Sequence, residues 1–426
     1  MTTQLQTSQS VNGLEHGNGD GREHGTGNGR EHGTGDVRET LHEQPHETAM
    51  PFSAEQERMN DADRIMAIAE TNTDTDSMIH EVVNNADSLF TWDYTKGARP
   101  KLERLYEKAK TSQWNAETDL DWSIDVDPYK ILLPMNDLPP TTDDIAGPGS
   151  PVEHWGEKEW TEFNKEQVVW RLSQFLHGEQ GALVCTAKIV ETVPWIDAKY
   201  YAATQVVDEA RHVEVFGKYL NEKLEGAYPI NPHLRMLIDD IINDSRWDMT
   251  YLGMQIMVEG LALAAFGFMH SLTEEPLMRK MLRYVMADEA RHVAFGVLSL
   301  QEYYQELTAA EIRERQVFAF EAALRMRDRF LAQEVWEKMG VPVKDMVEIF
   351  LSLPQERLTF QRILFSKIVP NCRKLGLLDA ADGWLRDRFT EIGVIEYEHW
   401  EDTGEEYEAF SIDQGEKAEA LVKLSH

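Results

Sequence analysis

Apolar and polar positions recur with the period of an α-helix along most of the chain from about residue 53 onward. This pattern predicts helices near residues 53–70, 98–110, 160–193, 195–224, 232–272, 276–306, 309–339, 354–376 and 380–400. The two-residue alternation of a half-buried β-strand is rare. We therefore predict an all-α fold in which additional helices flank a central four-helix bundle.

Two prolines divide the central helical region into two hairpins. Pro194 and Pro276 each follow threonine or glutamate residues, and proline is well placed in the first turn of a helix. Pro194 lies 15 residues from both Glu179 and Glu209. At about 1.5 Å per residue, the two arms of this hairpin have equal length and return to the same level. Residues 225–246 are long enough to connect the hairpins across a bundle.

Composition sets the predicted boundaries. Residues 1–50 are rich in Gly and His, contain an eight-residue repeat (Gly21–Asn28 and Gly29–Asp36), and are predicted to be a disordered tail. Residues 51–400 are predicted to form one helical domain with its core at about 160–306, followed by an acidic tail at 401–426. Residues 111–152, rich in Trp, Asp and Pro, are predicted to form an ordered loop or lid over the bundle.

The charge and the cysteine content of the chain indicate which cellular compartment and which binding partners to expect. The formal net charge of −33 argues against nucleic acid and anionic membranes as partners. The sequence has no uninterrupted apolar run of 18 residues and no apolar signal segment, so no membrane span is expected. The only cysteines are Cys185 and Cys372, which favours the reducing cytoplasm.

The five-residue motif Asp-Glu-Ala-Arg-His occurs at Asp208–His212 and again at Asp288–His292. A glutamate precedes the glutamate of each copy by 30 positions. Within each copy, Glu and His are three residues apart and share one helical face. Four-helix bundles use such a set to hold two iron or manganese ions. The candidate ligands, which are also the candidate catalytic residues, are Glu179, Glu209, His212, Glu259, Glu289 and His292.

The charge of this set favours two metal ions. Four ionised carboxylates buried near one point would repel each other strongly. Two divalent ions bring +4 against −4 and leave the reduced site neutral. Carboxylates with one imidazole per metal suit iron or manganese better than zinc, which prefers more nitrogen or sulfur ligands.

At these residues, over roughly 165–305, the chain resembles the ferritin-like di-iron oxidoreductases, a superfamily of four-helix bundles. The resemblance implies that Glu179, Glu209 and His212 bind mostly one iron, and that Glu259, Glu289 and His292 bind mostly the other, with some of the glutamates bridging both. It also implies that the aspartate of each motif accepts a hydrogen bond from the histidine of the other, and that the motif arginines pair with these aspartates. These residues are Asp208, Asp288, Arg211 and Arg291.

Three positions depart from particular members of that superfamily. Ribonucleotide reductase subunits usually carry a radical tyrosine four residues after the first ligand histidine, and here that residue is Phe216. They also often use aspartate where this chain has Glu179. Arylamine N-oxygenases add a histidine one turn before the last glutamate ligand, and here that residue is Val285. Both close matches therefore fail.

The expected function is an O2-dependent di-iron oxidoreductase, a monooxygenase of a small organic metabolite. The cofactor is two Fe ions, with Mn or mixed Mn/Fe left open. Electrons are expected from a separate reductase or ferredoxin, since the chain has no Gly-x-Gly-x-x-Gly fingerprint and no cysteine cluster. The superfamily analogy suggests a homodimer. A halogenase, an N-oxygenase and a ferroxidase stay open, as does the choice between a substrate pocket and ordinary packing beside Leu183 and Leu263.

Overall fold

The computed structural model describes residues 71, 73–75, 81–86, 95–131, 141–353 and 359–400. These residues all belong to the unit Phe52–His426. The predicted tails at 1–50 and 401–426 and the predicted helix at 53–70 lie outside the described residues. The predicted domain boundaries therefore stay predictions.

The described residues contain α-helices and no β-strand, which confirms the predicted all-α fold. In chain order the helices are α1 (Pro100–Thr111), α2 (Thr142–Ile145), α3 (Glu157–Thr192), α4 (Ile196–Tyr219), α5 (Pro232–Asn243), α6 (Trp247–Tyr251), α7 (Glu259–Leu272), α8 (Pro276–Tyr303), α9 (Ala309–Asp328), α10 (Gln333–Lys338), α11 (Val343–Ser352), α12 (Thr359–Ile363), α13 (Phe365–Lys374) and α14 (Trp384–Glu391). Wider π-helical turns follow α4 at Leu220–Leu224 and join α6 to α7 at Leu252–Val258. Tighter 3-10 turns occur at Arg329–Leu331, Ala381–Gly383 and Ile395–His399.

Two antiparallel hairpins form the bundle. Helix α3 packs along α4, α7 packs along α8, and α4 packs against α8. Pro276 occupies the first turn of α8, where the Glu275 side chain caps the helix by accepting from the backbone N–H groups of Leu277 and Met278. Pro194 separates α3 from α4 but precedes α4, which begins at Ile196. The remaining helices flank this core, as predicted.

Some predicted helices are divided. The stretch at 232–272 breaks at Asp244, whose extended backbone (ψ 126°) ends α5. The stretch at 309–339 breaks at Ala332, which has a positive φ of 48°. Breaks such as those at Asp244 and Ala332 depend on packing against neighbouring helices, which the hydrophobic periodicity does not report. Helix α11 (Val343–Ser352) lies outside the helical stretches that the sequence predicts.

One segment of the described chain, Trp247–Leu272, is long and apolar enough to cross a membrane when judged by length and composition alone. Its most apolar 18-residue window is 83% buried within the protein. Core helices pass the same test, so this segment is weak evidence for a membrane span. It carries Glu259 into the centre of the bundle.

Candidate metal centre

The six candidate ligands come together in the core of the bundle, and all are buried. They form two groups, and within each group the ligand atoms all lie within 4.8 Å of one another. The first group contains Glu179, Glu209, His212 and Glu289, and the second contains Glu209, Glu259 and His292. Glu209 belongs to both groups, so the two positions adjoin. Glu289, which the resemblance assigns mostly to the second metal, falls in the first group here, and the resemblance also implies that some glutamates bridge.

Four helical segments supply these residues. Glu179 lies on α3, the first motif lies on α4, and the second motif lies on α8. Glu259 is the first residue of α7, directly after the π-helical turn Leu252–Val258. The helical spacing of Glu and His in each motif directs both side chains to the bundle interior.

Each imidazole turns its Nδ1 atom toward the carboxylates. His212 Nδ1 lies 3.1 Å from Glu289 Oε1 and 3.2 Å from Glu179 Oε2. His292 Nδ1 lies 3.1 Å from Glu209 Oε1. The Nδ1 atoms are therefore the nitrogens placed to bind a metal.

The other nitrogen of each imidazole faces an aspartate of the opposite motif. His212 Nε2 lies 3.2 Å from Asp288 Oδ2, and His292 Nε2 lies 3.4 Å from Asp208 Oδ2. Both aspartates are fully buried. A hydrogen bond from Nε2–H would fix the tautomer in which Nδ1 is free to bind a metal.

The two motif arginines are buried and pair with these aspartates. Arg211 donates to Asp208 and, at 3.0 Å, to Asp288. Arg291 donates to Asp288 and, at 3.4 Å, to Asp208. Burial disfavours the Asp288 anion, but the charges of Arg291 and His212 outweigh burial and hold its pKa below the usual range. Asp288 thus stays ionised behind His212.

Two residues of the segment after α1, Gln113 and Trp114, join this network without being marked by any sequence motif. The indole Nε1 of Trp114 donates to Asp288 Oδ2 at 2.7 Å. Gln113 donates to Asp208 at 3.1 Å and accepts from Arg211 at 2.9 Å. The described part of the predicted loop therefore packs onto the residues behind the ligands. The only sequence signal was its high content of Trp, Asp and Pro.

Gln205 is a second residue that the sequence analysis missed. Its side-chain amide donates to Glu209 Oε1 at 3.0 Å and to Glu259 Oε1 at 2.9 Å. Gln205 lies four residues before Glu209, hence on the same helical face. The equivalent position of the second motif is Val285, so the two halves of the centre are not alike.

Burial and mutual repulsion keep protons within the cluster. Burial raises the pKa of the Glu179 carboxyl to about 8, and the charge of Glu289 acts in the same direction. Burial and the charge of Glu209 raise the pKa of Glu259 well above its usual range. For Glu209, burial is outweighed by His292 and the other imidazole, and its pKa is lowered. A bound cation would displace the retained protons.

Several ligand atoms fit a metal and form no hydrogen bond of good geometry, although they lie close to one another. Among the described residues, no well-aligned hydrogen bond reaches Glu209 Oε2, Glu259 Oε2, either carboxylate oxygen of Glu289, or His292 Nδ1, and the short imidazole–carboxylate distances given above join atoms of the cluster itself. Buried polar atoms are rarely left in this state, because each one carries a desolvation cost of about 1–3 kcal/mol. Their convergence on one site of oxygen and nitrogen donors fits a pair of transition-metal ions.

A small cavity adjoins the cluster. It is lined by three of the cluster's carboxylates, by apolar side chains of α3, the π-helical turn and α7, and by Arg329. About 20 Å³ is open to the centres of water-sized molecules, which is room for about one or two waters. Ala182 and Ala262 line this cavity. They immediately precede Leu183 and Leu263, beside which the sequence allows either a substrate pocket or ordinary packing.

Comparison with known proteins adds little to this picture. No protein-family model and no curated protein matches the chain. Among solved structures, it is similar to an R2-like ligand-binding oxidase with an aerobically reconstituted metal cofactor, at 15% identity and a TM-score of 0.43, covering 66% of this chain and 99% of that one. A mutant of such an oxidase with a Mn/Fe cofactor is similar at 16% identity and a TM-score of 0.41, covering 64% and 92%. Likeness at this level carries no information on function, which rests on the site itself.

Proposed function

We propose that this chain is an oxidoreductase that binds two metal ions, either two irons or a manganese–iron pair, which supply the redox chemistry with O2. One observation carries the proposal: carboxylate and imidazole atoms converge in the core, and among the described residues several of them form no well-aligned hydrogen bond. One metal would be held by Glu179, Glu209, His212 and Glu289, and the other by Glu209, Glu259 and His292.

The charge of the cluster supports two cations rather than one. Four buried carboxylates are balanced by two divalent ions, whereas a single ion would leave excess negative charge in the core. Glu209 is placed to serve both positions, since it belongs to both groups. With two imidazoles against four carboxylates, the donor set favours iron or manganese over zinc.

The protein's own residues orient the ligands and keep water out. The buried aspartates and arginines hold both imidazoles with Nδ1 facing inward. Trp114, which is 7% exposed, covers Asp288 from the loop side. A dry, rigid surrounding of this kind supports chemistry that water would otherwise quench.

We propose a small organic metabolite as the substrate and a separate reductase or ferredoxin as the electron donor. The chain carries neither a dinucleotide fingerprint nor a cysteine cluster of its own. We also propose that the enzyme works in the cytoplasm as a homodimer. Oxygenation, N-oxygenation and halogenation differ in their products, so product analysis with and without halide separates them.

A ferroxidase, in which iron is the substrate, is disfavoured by the cavity. Arg329 lines the space beside the cluster, and its guanidinium repels an incoming ferrous ion. Rapid oxidation of added iron that forms mineral and no organic product would favour the ferroxidase instead.

The first test is metal analysis of the purified protein. We expect about two iron or manganese ions per chain, and O2 uptake that depends on them. The Glu209→Ala variant should lose most of both metals, because Glu209 belongs to both groups. The His292→Ala variant should lose the second metal first.

The matched control is Glu214→Gln, which changes an exposed carboxylate on the same helix α4. It should retain the metal content of the wild type. Full metal occupancy in Glu209→Ala and His292→Ala would contradict the proposed centre, as would a wild type that binds no metal when refolded with ferrous and manganous salts.

A further inference from the structure

Arg329 is a buried arginine at the wall of the cavity beside the proposed metal centre. It lies in the 3-10 turn that ends α9, and only 2% of it is exposed. Its guanidinium forms no ion pair with any residue in the parts of the chain that the structure describes, and its Nε is buried without a hydrogen-bond partner there. The nearest aromatic contact is the ring of Phe330, whose centroid is 4.6 Å from the guanidinium carbon.

This isolation sets Arg329 apart from other buried arginines. Arg211 and Arg291 pair with the motif aspartates, and Arg315 pairs with Asp248 at 3.0 Å. Burial lowers the pKa of Arg329 to about 9, which leaves the guanidinium charged at neutral pH. A buried charge without a counterion is costly, so a counterion from outside the chain would be favoured.

A second arginine, only partly buried, lies close by and also has no carboxylate partner among the described residues. Arg171 on α3 rests against the ring of Phe360 at 4.9 Å, and burial lowers its pKa to about 10. The rings of Phe360 and Phe330 are in contact, with centroids 5.0 Å apart. Two guanidiniums without a carboxylate partner among the described residues therefore lie on this side of the bundle.

The carboxylates that share the cavity do not supply the missing counterion. None of them lies within ion-pair distance of Arg329. In the proposed metal-bound state, two divalent ions balance the four carboxylates. The charge of Arg329 then remains uncompensated, and the cavity has a net preference for one anion.

We propose that Arg329 binds the carboxylate group of an organic monocarboxylic acid, which makes such acids the substrate class of this centre. The inference rests on the proposed function, because it assigns a substrate to the same site. A guanidinium matches a carboxylate with two parallel hydrogen bonds. Phe175, Ala182 and Val258 provide an apolar wall for the carbon body. A single positive charge suits a monoanion better than a phosphate dianion.

The size of the cavity guides the choice of probe. The space open to water-sized molecules, about 20 Å³, is comparable to a carboxylate group rather than to a whole organic acid. The carbon body must therefore displace apolar side chains as it binds. Benzoate is a suitable small probe, and benzamide is its neutral counterpart with nearly the same shape.

The experiment is calorimetric titration of the metal-loaded and the metal-free protein with benzoate and with benzamide. We expect the wild type to bind benzoate at least about tenfold more tightly than benzamide. The Arg329→Gln variant should lose this preference. The Arg329→Lys variant should retain part of it, because lysine keeps the charge but not the two-pronged geometry.

The matched control is Arg325→Gln, four residues earlier on α9, where the arginine is paired at the surface with Asp240. It should bind benzoate as the wild type does. If Arg329→Gln fails to fold, Gly178→Leu tests the same cavity, since Gly178 lines it and a Cβ atom added there meets nothing within 4 Å. Benzoate binding should then be lost through lack of space.

The outcomes separate the two proposals. Equal binding of benzoate and benzamide by the wild type, or a benzoate preference that survives in Arg329→Gln, overturns the assignment of Arg329. Metal content is measured on the same samples. A wild type that binds no metal contradicts the proposed function instead. In that case, the titration of the metal-free protein with benzoate and benzamide still tests the role of Arg329.

Discussion

Asp288 is one of two aspartates with four polar partners each around the candidate centre, the other being Asp208. Asp288 accepts from the Trp114 indole, from Arg211 and from Arg291, and it faces His212 Nε2. Four donors on one carboxylate require it to be ionised, which agrees with its lowered pKa. The residue thus holds His212 with Nδ1 toward the carboxylates and ties the loop to the ligands.

We expect Asp288→Asn to weaken metal binding roughly 10- to 100-fold, which is the usual effect of removing a ligand's hydrogen-bond partner. The asparagine amide would place an N–H donor against the donors already present. Competition titration with a chelator measures the affinity directly. Asp240→Asn, an exposed change on α5, is the control and should not alter it. Unchanged affinity in Asp288→Asn would contradict an orienting role.

The sequence identified the residues that a repeated pattern can identify. Glu209 and His212 share a helical face by their spacing, and the second motif repeats that spacing. The repeat does not reveal Gln205, because its counterpart in the other half is Val285. Sequence spacing does not reveal the role of Trp114, because 174 positions separate it from Asp288 in the chain.

At the level of secondary structure, the close approach of α8 to the π-helical turn Leu252–Val258 positions the ligands. A Cβ atom added at Gly296 on α8 would lie 2.6 Å from the Cβ of Gln255 in the π-helical turn. The turn itself widens the helix just before Glu259 and so rotates the direction in which that residue points. Glycine at this contact lets α8 and the turn meet, which brings both halves of the centre together.

We expect Gly296→Ala to lower the free energy of unfolding by about 1–3 kcal/mol, because the added methyl group forces two backbones apart. Gly178→Ala is the matched control, since an added Cβ there meets nothing within 4 Å. It should be neutral or should stabilise by up to roughly 0.5–1 kcal/mol through helix propensity. Urea unfolding followed by circular dichroism measures both. Equal stability of the two variants would contradict the close packing.

The mutual repulsion of buried carboxylates makes the stability of the whole molecule depend on bound cations. Glu179, Glu209, Glu259 and Glu289 converge within the core. Without metals the cluster holds protons, as the raised pKa values of Glu179 and Glu259 indicate. Metals that bind only the folded state would stabilise the fold by mass action.

Chelation of the metals should therefore lower the melting temperature. At a free metal concentration of 100 times Kd, the gain is about 2.7 kcal/mol per site, or roughly 5 °C in Tm for a domain of this class. Calorimetry before and after dialysis against a chelator, and again after ferrous or manganous ions are restored, measures the change. The Glu209→Ala variant should not respond to added metal. An equal response in that variant would place the stabilising ions elsewhere.

Local sequence pattern by itself determined the helical class, the two central hairpins and the six converging side chains, because periodicity and residue spacing are local properties of the chain. Tertiary packing alone decided the division of α5 from α6 at Asp244, the direction of the Nδ1 atoms, and the placement of Trp114 behind the ligands. It also decided that Arg329 reaches the cavity 40 residues after Glu289. Such features depend on which distant segments meet in space, and no spacing along the chain encodes them.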